Sequence, residues 1–160
     1  MHESEIGQPD DLYFMNLALE QSLLAYREGE VPVGAIAVYQ NRVIATAYNQ
    51  IEQLKDAMAH AEMLVLKKAE DVVGDWRLND VTIYVTKEPC SMCAGAMVNC
   101  RLGKVVFGIR DKKYGAAGGA INITNLNGSL HNVVTVGGIL ETECLEIFQR
   151  FFKDLRSRKK

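Results

Sequence analysis

The hydrophobic pattern of the first third of the chain predicts one helix and a β-hairpin. Apolar residues recur every three or four positions over residues 10–28, which is typical of an amphipathic helix. Two short apolar runs follow at 31–38 and 42–48. The Gln40-Asn41 pair between these runs suits a tight turn, so we expect the two strands to pair antiparallel.

The rest of the chain alternates between strands and helices. The pattern predicts helices over 60–72, from Pro89 onwards and over 141–156, and strands over 82–86, 104–108 and 133–136. Strand, helix and strand in that order predict a parallel pair with a right-handed crossover. The segments 51–59 and 111–119 read as loops, and 122–132 reads as a short irregular or helical stretch. We therefore predict an α/β fold with helices covering a central sheet.

The composition indicates a folded protein of ordinary polarity. The chain is 48% hydrophobic and 24% charged, and it forms one predicted domain over residues 1–160. We expect residues 1–9 to be flexible. We also expect the protein to be cytoplasmic, because neither a membrane-spanning run nor a secretory signal is visible.

The charge is unevenly distributed along the chain. A net charge of −2 does not by itself indicate a nucleic-acid-binding protein. Lysine and arginine nevertheless accumulate towards the end of the chain, from Arg150 into a basic tail at 157–160. Such a tail can bind phosphate groups, or it can simply be the solvated end of a helix whose cations suit the helix dipole.

Two cysteines have the spacing of metal ligands. Cys90 and Cys93 lie three apart at a predicted helix start, whereas Cys100 and Cys144 lie in apolar surroundings and are expected to be buried. Structural zinc sites usually have four protein ligands, and a second cysteine pair is absent from this sequence. His60 is the obvious third ligand, so the sequence predicts zinc with an open position for water.

Glu62 follows this histidine by two positions and is not needed as a ligand. A carboxylate beside a zinc-activated water can accept its proton and return it to a leaving amine. A redox role for Cys90 and Cys93 would leave both His60 and Glu62 unexplained. A histidine at a helix start is often only a cap, but the combination predicts hydrolytic deamination of a nucleobase.

The chain resembles the bacterial tRNA adenosine deaminases of the cytidine deaminase-like superfamily. The resemblance covers nearly the whole length and includes His60-Ala61-Glu62, the Glu-Pro-Cys-Ser-Met-Cys run at 88–93, Gly-Glu-Val-Pro-Val-Gly-Ala at 29–35, Trp-Arg-Leu at 76–78 and Phe-Phe-Lys-Asp-Leu-Arg at 151–156. It implies a three-layer α/β/α fold with a central mixed five-stranded sheet. At Lys87 the chain departs from the family, which typically has an apolar residue there.

The resemblance also implies a reaction, a metal and a partner. One zinc ion per subunit would be held by His60, Cys90 and Cys93, with Glu62 as the proton shuttle, and the substrate would contact Asn49, Ala61, Pro89 and Asp111. The family converts adenosine to inosine at the wobble position (A34) of tRNA. It acts as a homodimer that grips the anticodon stem-loop, with no evident protein cofactor.

Two other functions remain open at this point. The same scaffold can deaminate a free base or nucleoside such as guanine, cytosine or adenosine. The near-neutral net charge favours that alternative, and so does the loop at 112–119, where the chain also departs from the family. A zinc-stabilised RNA-binding module without catalysis is the other alternative, although the presence of Glu62 argues against it. If the substrate is a tRNA, as the resemblance implies, the basic tail would contact its backbone, and we favour that interpretation over a solvated helix end.

Overall fold

A computed structural model describes residues 9–158 of the chain as a central sheet with helices on both faces. The strands are β1 (Gly34–Tyr39), β2 (Arg42–Tyr48), β3 (Val81–Lys87), β4 (Lys104–Ile109) and β5 (Val134–Val136). The helices are α1 (Asp11–Arg27), α2 (Ile51–Leu54), α3 (Ala61–Val73), α4 (Ser91–Asn99) and α5 (Glu141–Arg158). The predicted flexible start therefore lies almost wholly outside the described residues, as do the last two residues of the basic tail.

The five strands form one mixed sheet in the order β2-β1-β3-β4-β5. β1 pairs antiparallel with both β2 and β3, whereas β3 with β4 and β4 with β5 are parallel. The predicted hairpin and the predicted parallel pair are both confirmed. Gln40 and Asn41 have φ values of 51° and 60°, the left-handed conformation that a tight hairpin turn requires.

Side chains that alternate along each strand divide the core into two layers. On one face Ile36, Tyr84 and Val106 pack with residues of α1 and α5. On the other face Ile83 and Val105 pack with residues of α3 and α4. Strands buried on both faces explain why their sequences read as nearly continuous apolar runs, and the arrangement confirms the three-layer fold.

Three predictions about the secondary structure were wrong. β1 begins at Gly34 and not at residue 31, because Pro32 has no N–H to pair and the Val33 N–H donates locally to the Val31 carbonyl. A short helix, α2, forms inside the predicted loop 51–59. His60 is the N-cap of α3 with extended backbone angles, φ −67° and ψ 149°, and does not lie in the first helical turn.

Smaller differences occur near the C-terminal end. β5 begins at Val134, one residue later than predicted, and α5 continues to Arg158. The segment 122–132 contains turns and bends without a regular helix. Of the helices described between residues 9 and 158, none combines the length and the apolar character needed to span a bilayer.

Candidate active site

The predicted metal ligands converge between the first turns of α3 and α4. The Nδ1 atom of His60 lies 3.7 Å from the Sγ atom of Cys90 and 3.6 Å from that of Cys93. All three ligand atoms lie within 4.8 Å of one another. His60 and Cys90 are the N-cap residues of their helices, so both side chains project from helix starts into the same space.

The spacing of these atoms matches a tetrahedral zinc site. Bond lengths of about 2.3 Å to sulfur and about 2.0 Å to nitrogen, at a tetrahedral angle, would separate the two ligand atoms by about 3.5 Å. The His60–Cys90 and His60–Cys93 distances of 3.7 and 3.6 Å are close to that value. The group therefore fits a metal ion on geometry as well as on donor type.

The electrostatics favour a thiolate at Cys90 and a neutral thiol at Cys93, because the hydrogen bond with Cys90 and burial raise the pKa of Cys93. Hydrogen bonds from Cys93 and then from His60 lower the pKa of Cys90 well below that of an ordinary thiol. The pKa of His60 is raised, chiefly by its hydrogen bond with Cys90 and further by the negative charge of Glu62. The positive end of the α4 dipole adds to this preference for negative charge at Cys90.

Glu62 lies in the first turn of α3 and is almost fully buried, with 4% of its surface exposed. Burial raises the pKa of its carboxyl group, and the neighbouring charge of His60 opposes that shift. A buried carboxyl group with a raised pKa is suited to accepting and returning a proton near neutral pH.

A cavity of about 240 Å³ opens over the three ligands and Glu62. Its walls are Val31, Val33, Asn49, Ile51, His60, Ala61, Glu62, Lys87, Glu88, Cys90 and Phe148. The volume is below the usual range for drug-sized ligands, and mostly apolar walls with a few polar groups suit a flat ring. Of the predicted substrate residues, Asn49 and Ala61 line this cavity.

Pro89 and Asp111, the other two predicted substrate residues, are not among the residues that line the cavity. Pro89 is buried, and its carbonyl accepts the N–H of Ala116 at 2.8 Å. Asp111 lies beside the cavity, where its carboxylate pairs with Lys87. The fold therefore uses Pro89 to hold the loop that follows β4, and it places Asp111 at the edge of the site.

Comparison with known proteins decides which family this fold and site represent. The sequence model of the MafB19-like deaminases matches residues 9–156. A tRNA-specific adenosine deaminase of Bacillus subtilis is 44% identical over 94% of this chain and 93% of its own length. The chain belongs to the tRNA-specific adenosine deaminase family. This confirms the resemblance that implied the three-layer fold and the tRNA substrate.

Solved structures agree with that assignment. A structure from a study of A-to-I editing by tRNA:A34 deaminases at the wobble position has a TM-score of 0.80 and 37% identity, covering 84% of this chain and 97% of that one. A guanine deaminase structure from Bacillus subtilis has a TM-score of 0.57 and 29% identity, covering 68% and 64% of the two chains. In both fold and sequence the chain is more similar to the tRNA deaminase structure than to this guanine deaminase structure.

The loop after β4 is held in this family member by one buried glutamate. Two oxygens of Glu88 accept backbone N–H groups from Asp111, Ala117 and Gly119 at 3.0, 3.1 and 2.8 Å. A Cβ atom on Gly115 would lie 2.2 Å from a Glu88 oxygen, so that position has no space for a side chain. Glu88 thus fixes the loop that carries Asp111 against one wall of the cavity.

A second buried glutamate, Glu30, holds the part of the cavity wall that includes Asn49 and Ile51. The Glu30 carboxylate accepts the N–H groups of Glu52 and Gln53 at 3.0 and 2.7 Å, in the first turn of α2. That helix begins with Ile51 of the cavity wall and directly follows Asn49 and Gln50. Sequence reasoning did not identify Glu30 or Glu88 as positioning residues, although each lies in a run that carries the family resemblance.

An ion pair joins the end of β3 to the loop after β4. The ammonium group of Lys87 lies 2.6 Å from the Asp111 carboxylate, and both side chains are mostly buried, 25% and 15% exposed. Burial opposes ionisation of Asp111, but Lys87 and the N–H groups of Tyr114 and Lys113 together lower the pKa of its carboxyl group. Asp111 is therefore ionised when the protein is folded.

A groove runs along α5 from the edge of the cavity. Phe148 lines both the cavity and this groove, whose other walls include Arg150, Lys153 and Arg156. All three basic side chains are exposed. Two acidic residues, Glu146 and Asp154, also line the groove, so its charges are of both signs with an excess of positive charge.

Proposed function

We propose that this protein hydrolyses the exocyclic amine of adenosine at the wobble position (A34) of tRNA, producing inosine and ammonia. The single observation that carries the proposal is a buried carboxyl group, Glu62, beside a His–Cys–Cys cluster in the wall of a cavity of about 240 Å³. Similarity at 44% to a tRNA-specific adenosine deaminase supports the same reaction.

We propose that His60, Cys90 and Cys93 hold one zinc ion per subunit. When bound, zinc supplies a Lewis acid that lowers the pKa of a water molecule towards neutrality. The spacing of the nitrogen and sulfur atoms supports this assignment, and so does the preference of Cys90 for the thiolate form. Three protein ligands leave one position open, as in other catalytic zinc sites.

Glu62 would move the protons of the reaction. Its carboxylate takes a proton from the attacking water, and as the water oxygen bonds to C6 of adenine, the C6=N1 π bond breaks and Glu62 delivers that proton to N1. Glu62 next takes the remaining proton from the new C6 hydroxyl group, and C6 becomes a carbonyl carbon as its bond to the amino nitrogen breaks. Glu62 then returns the proton so that the nitrogen leaves as ammonia. Burial of Glu62 keeps this proton from exchanging with bulk solvent between the two transfers.

Asn49 would orient the nucleoside within the cavity. Its side chain is 5% exposed at the end of β2, and its backbone N–H donates to the Val33 carbonyl at 3.0 Å, which fixes the residue. An amide side chain can both donate to and accept from a base or ribose. Ala61, with no side chain beyond Cβ, leaves space for the ring beside it.

The α5 groove supports a polynucleotide as substrate. We propose that Arg150, Lys153 and Arg156 bind phosphates of the anticodon loop when the target base enters the cavity. A free base would gain nothing from those cations. We also propose that the chain acts as one domain over residues 1–160, as a homodimer, in the cytoplasm where tRNA is found.

The test is incubation of the purified zinc-loaded protein with an anticodon stem-loop bearing A34, followed by nucleoside analysis. The proposal predicts inosine at A34 only, and none from a stem-loop with A34 replaced by guanosine. Absence of inosine despite full zinc content would contradict it. A parallel screen for ammonia from guanine, cytosine and adenosine tests the small-molecule alternative, and loss of turnover in Glu62→Gln with RNA binding intact would exclude the non-catalytic RNA-binding module.

A further inference from the structure

Lys87 provides positive charge inside the cavity. Within the described part of the chain it is the only lysine or arginine that lines the cavity. The acidic groups there or at the edge are Glu62, Glu88 and Asp111. A polynucleotide that places one base in the cavity brings its own negative phosphates to this edge, where an uncompensated acid would repel them.

The Lys87 ammonium group is held in place at that edge. It lies 2.6 Å from the Asp111 carboxylate and 5.7 Å from the centre of the Phe148 ring. Phe148 also belongs to the α5 groove, so the ammonium group lies where cavity and groove meet. An ammonium group has three N–H donors, and the hydrogen bond to Asp111 uses one of them.

The loop that carries Asp111 is anchored without Lys87. Glu88 accepts three backbone N–H groups from this loop, and Pro89 accepts a fourth from Ala116. The Asp111 carboxylate itself accepts the N–H groups of Lys113 and Tyr114 at 2.9 and 3.0 Å. The loop therefore has hydrogen bonds that hold its shape independently of the positive charge of Lys87.

We infer that Lys87 is a specificity-determining residue that binds a backbone phosphate of the nucleotide whose base occupies the cavity. Asp111 and Phe148 hold the ammonium group in position, and its remaining donors contact the phosphate. This inference deepens the proposed function and rests on it. It makes the cavity selective for adenosine within a polynucleotide over free adenosine, which has no phosphate to offer.

The matched control is Lys67. This lysine is also ion-paired, with Asp71 at 3.9 Å, but it is exposed on α3 and does not line the cavity. Lys67→Met and Lys87→Met each remove one positive charge and one ion pair. A difference between the two variants therefore reports the position of the charge and not the net charge of the protein.

The experiment measures binding of a fluorescent anticodon stem-loop between 50 and 300 mM salt, with Glu62→Gln in every protein to prevent turnover. Lys87→Met is expected to weaken binding about tenfold near 100 mM salt and to reduce the slope of log affinity against log salt by about 0.7. Lys87→Arg and Lys67→Met are expected to keep the original slope.

An unchanged slope in Lys87→Met, or an equal loss in Lys67→Met, would overturn the inference. Circular dichroism and thermal melting identify any variant that does not fold. If Lys87→Met does not fold, the salt slopes of Lys87→Gln and Lys87→Arg are compared in its place. The proposed function is tested independently, because the salt dependence of binding does not require turnover. It is contradicted if the protein with Glu62 intact forms no inosine.

Discussion

Replacement of Glu88 by glutamine tests how the wall of the active site is held. An amide keeps the size of the side chain but removes its charge and replaces one acceptor oxygen with an NH2 donor. The oxygen that accepts from both Ala117 and Gly119 is best kept as the amide oxygen. The NH2 group would then face the N–H of Asp111, which loses its acceptor.

The size of the effect follows from those three hydrogen bonds. Loss of one bond to a charged acceptor costs about 2 kcal/mol, and weakening of the other two by loss of charge adds about 1 kcal/mol. We expect the loop at 111–119 to open more easily by about 3 kcal/mol in total. That change corresponds to roughly 100-fold faster amide exchange in the loop.

Hydrogen–deuterium exchange measures this directly at the amides of Ala117 and Gly119. The matched control is Glu20→Gln, an exposed position on α1 that removes the same charge. Amides of β3 and β4 are expected to exchange at the original rate in both variants. Equal protection of Ala117 and Gly119 in Glu88→Gln and in the unchanged protein would refute the role assigned to the carboxylate.

Three further predictions address the metal, the proton shuttle and the helix–sheet contact. Removal of metal with a chelator should abolish deamination and lower the melting temperature, and added zinc should restore both; a melting temperature indifferent to the chelator would contradict the assigned ligands. Burial raises the pKa of Glu62, so the deamination rate should begin to drop, on acidification, at a pH above the ordinary glutamate value of about 4.3. A pH–rate profile that is flat to pH 4 would contradict the role of Glu62. Gly34→Ala should destabilise the fold by about 2 kcal/mol or more, measured by denaturant unfolding, because its Cβ atom would lie 2.3 Å from the Ala18 carbonyl oxygen; unchanged stability would show that α1 can shift away.

The parts of the site that were predictable have short-range signals. The His60-Ala61-Glu62 and Cys90–Cys93 spacings place ligands and carboxylate at two helix starts, and helix starts can be read from local pattern. The order of strands and helices also indicated the parallel pair, because strand–helix–strand units allow one common handedness. These features need no knowledge of distant contacts.

The parts that were not predictable depend on contacts between distant segments. Glu30 reaches α2 and Glu88 reaches the loop after β4, and an acidic residue in sequence carries no mark of which N–H groups it will accept. The same holds for the pairing of Lys87 with Asp111. The short helix α2 was missed because its stability comes from Glu30 and not from its own periodic pattern.

The most direct test of the proposed reaction compares the protein with its Glu62→Gln variant on one anticodon stem-loop. Nucleoside analysis after digestion is expected to show inosine at A34 with the unchanged protein. Glu62→Gln should reduce the rate by at least ~100-fold while binding the same amount of zinc. Inosine formed equally fast by Glu62→Gln, or no inosine from the zinc-loaded protein, would contradict the account.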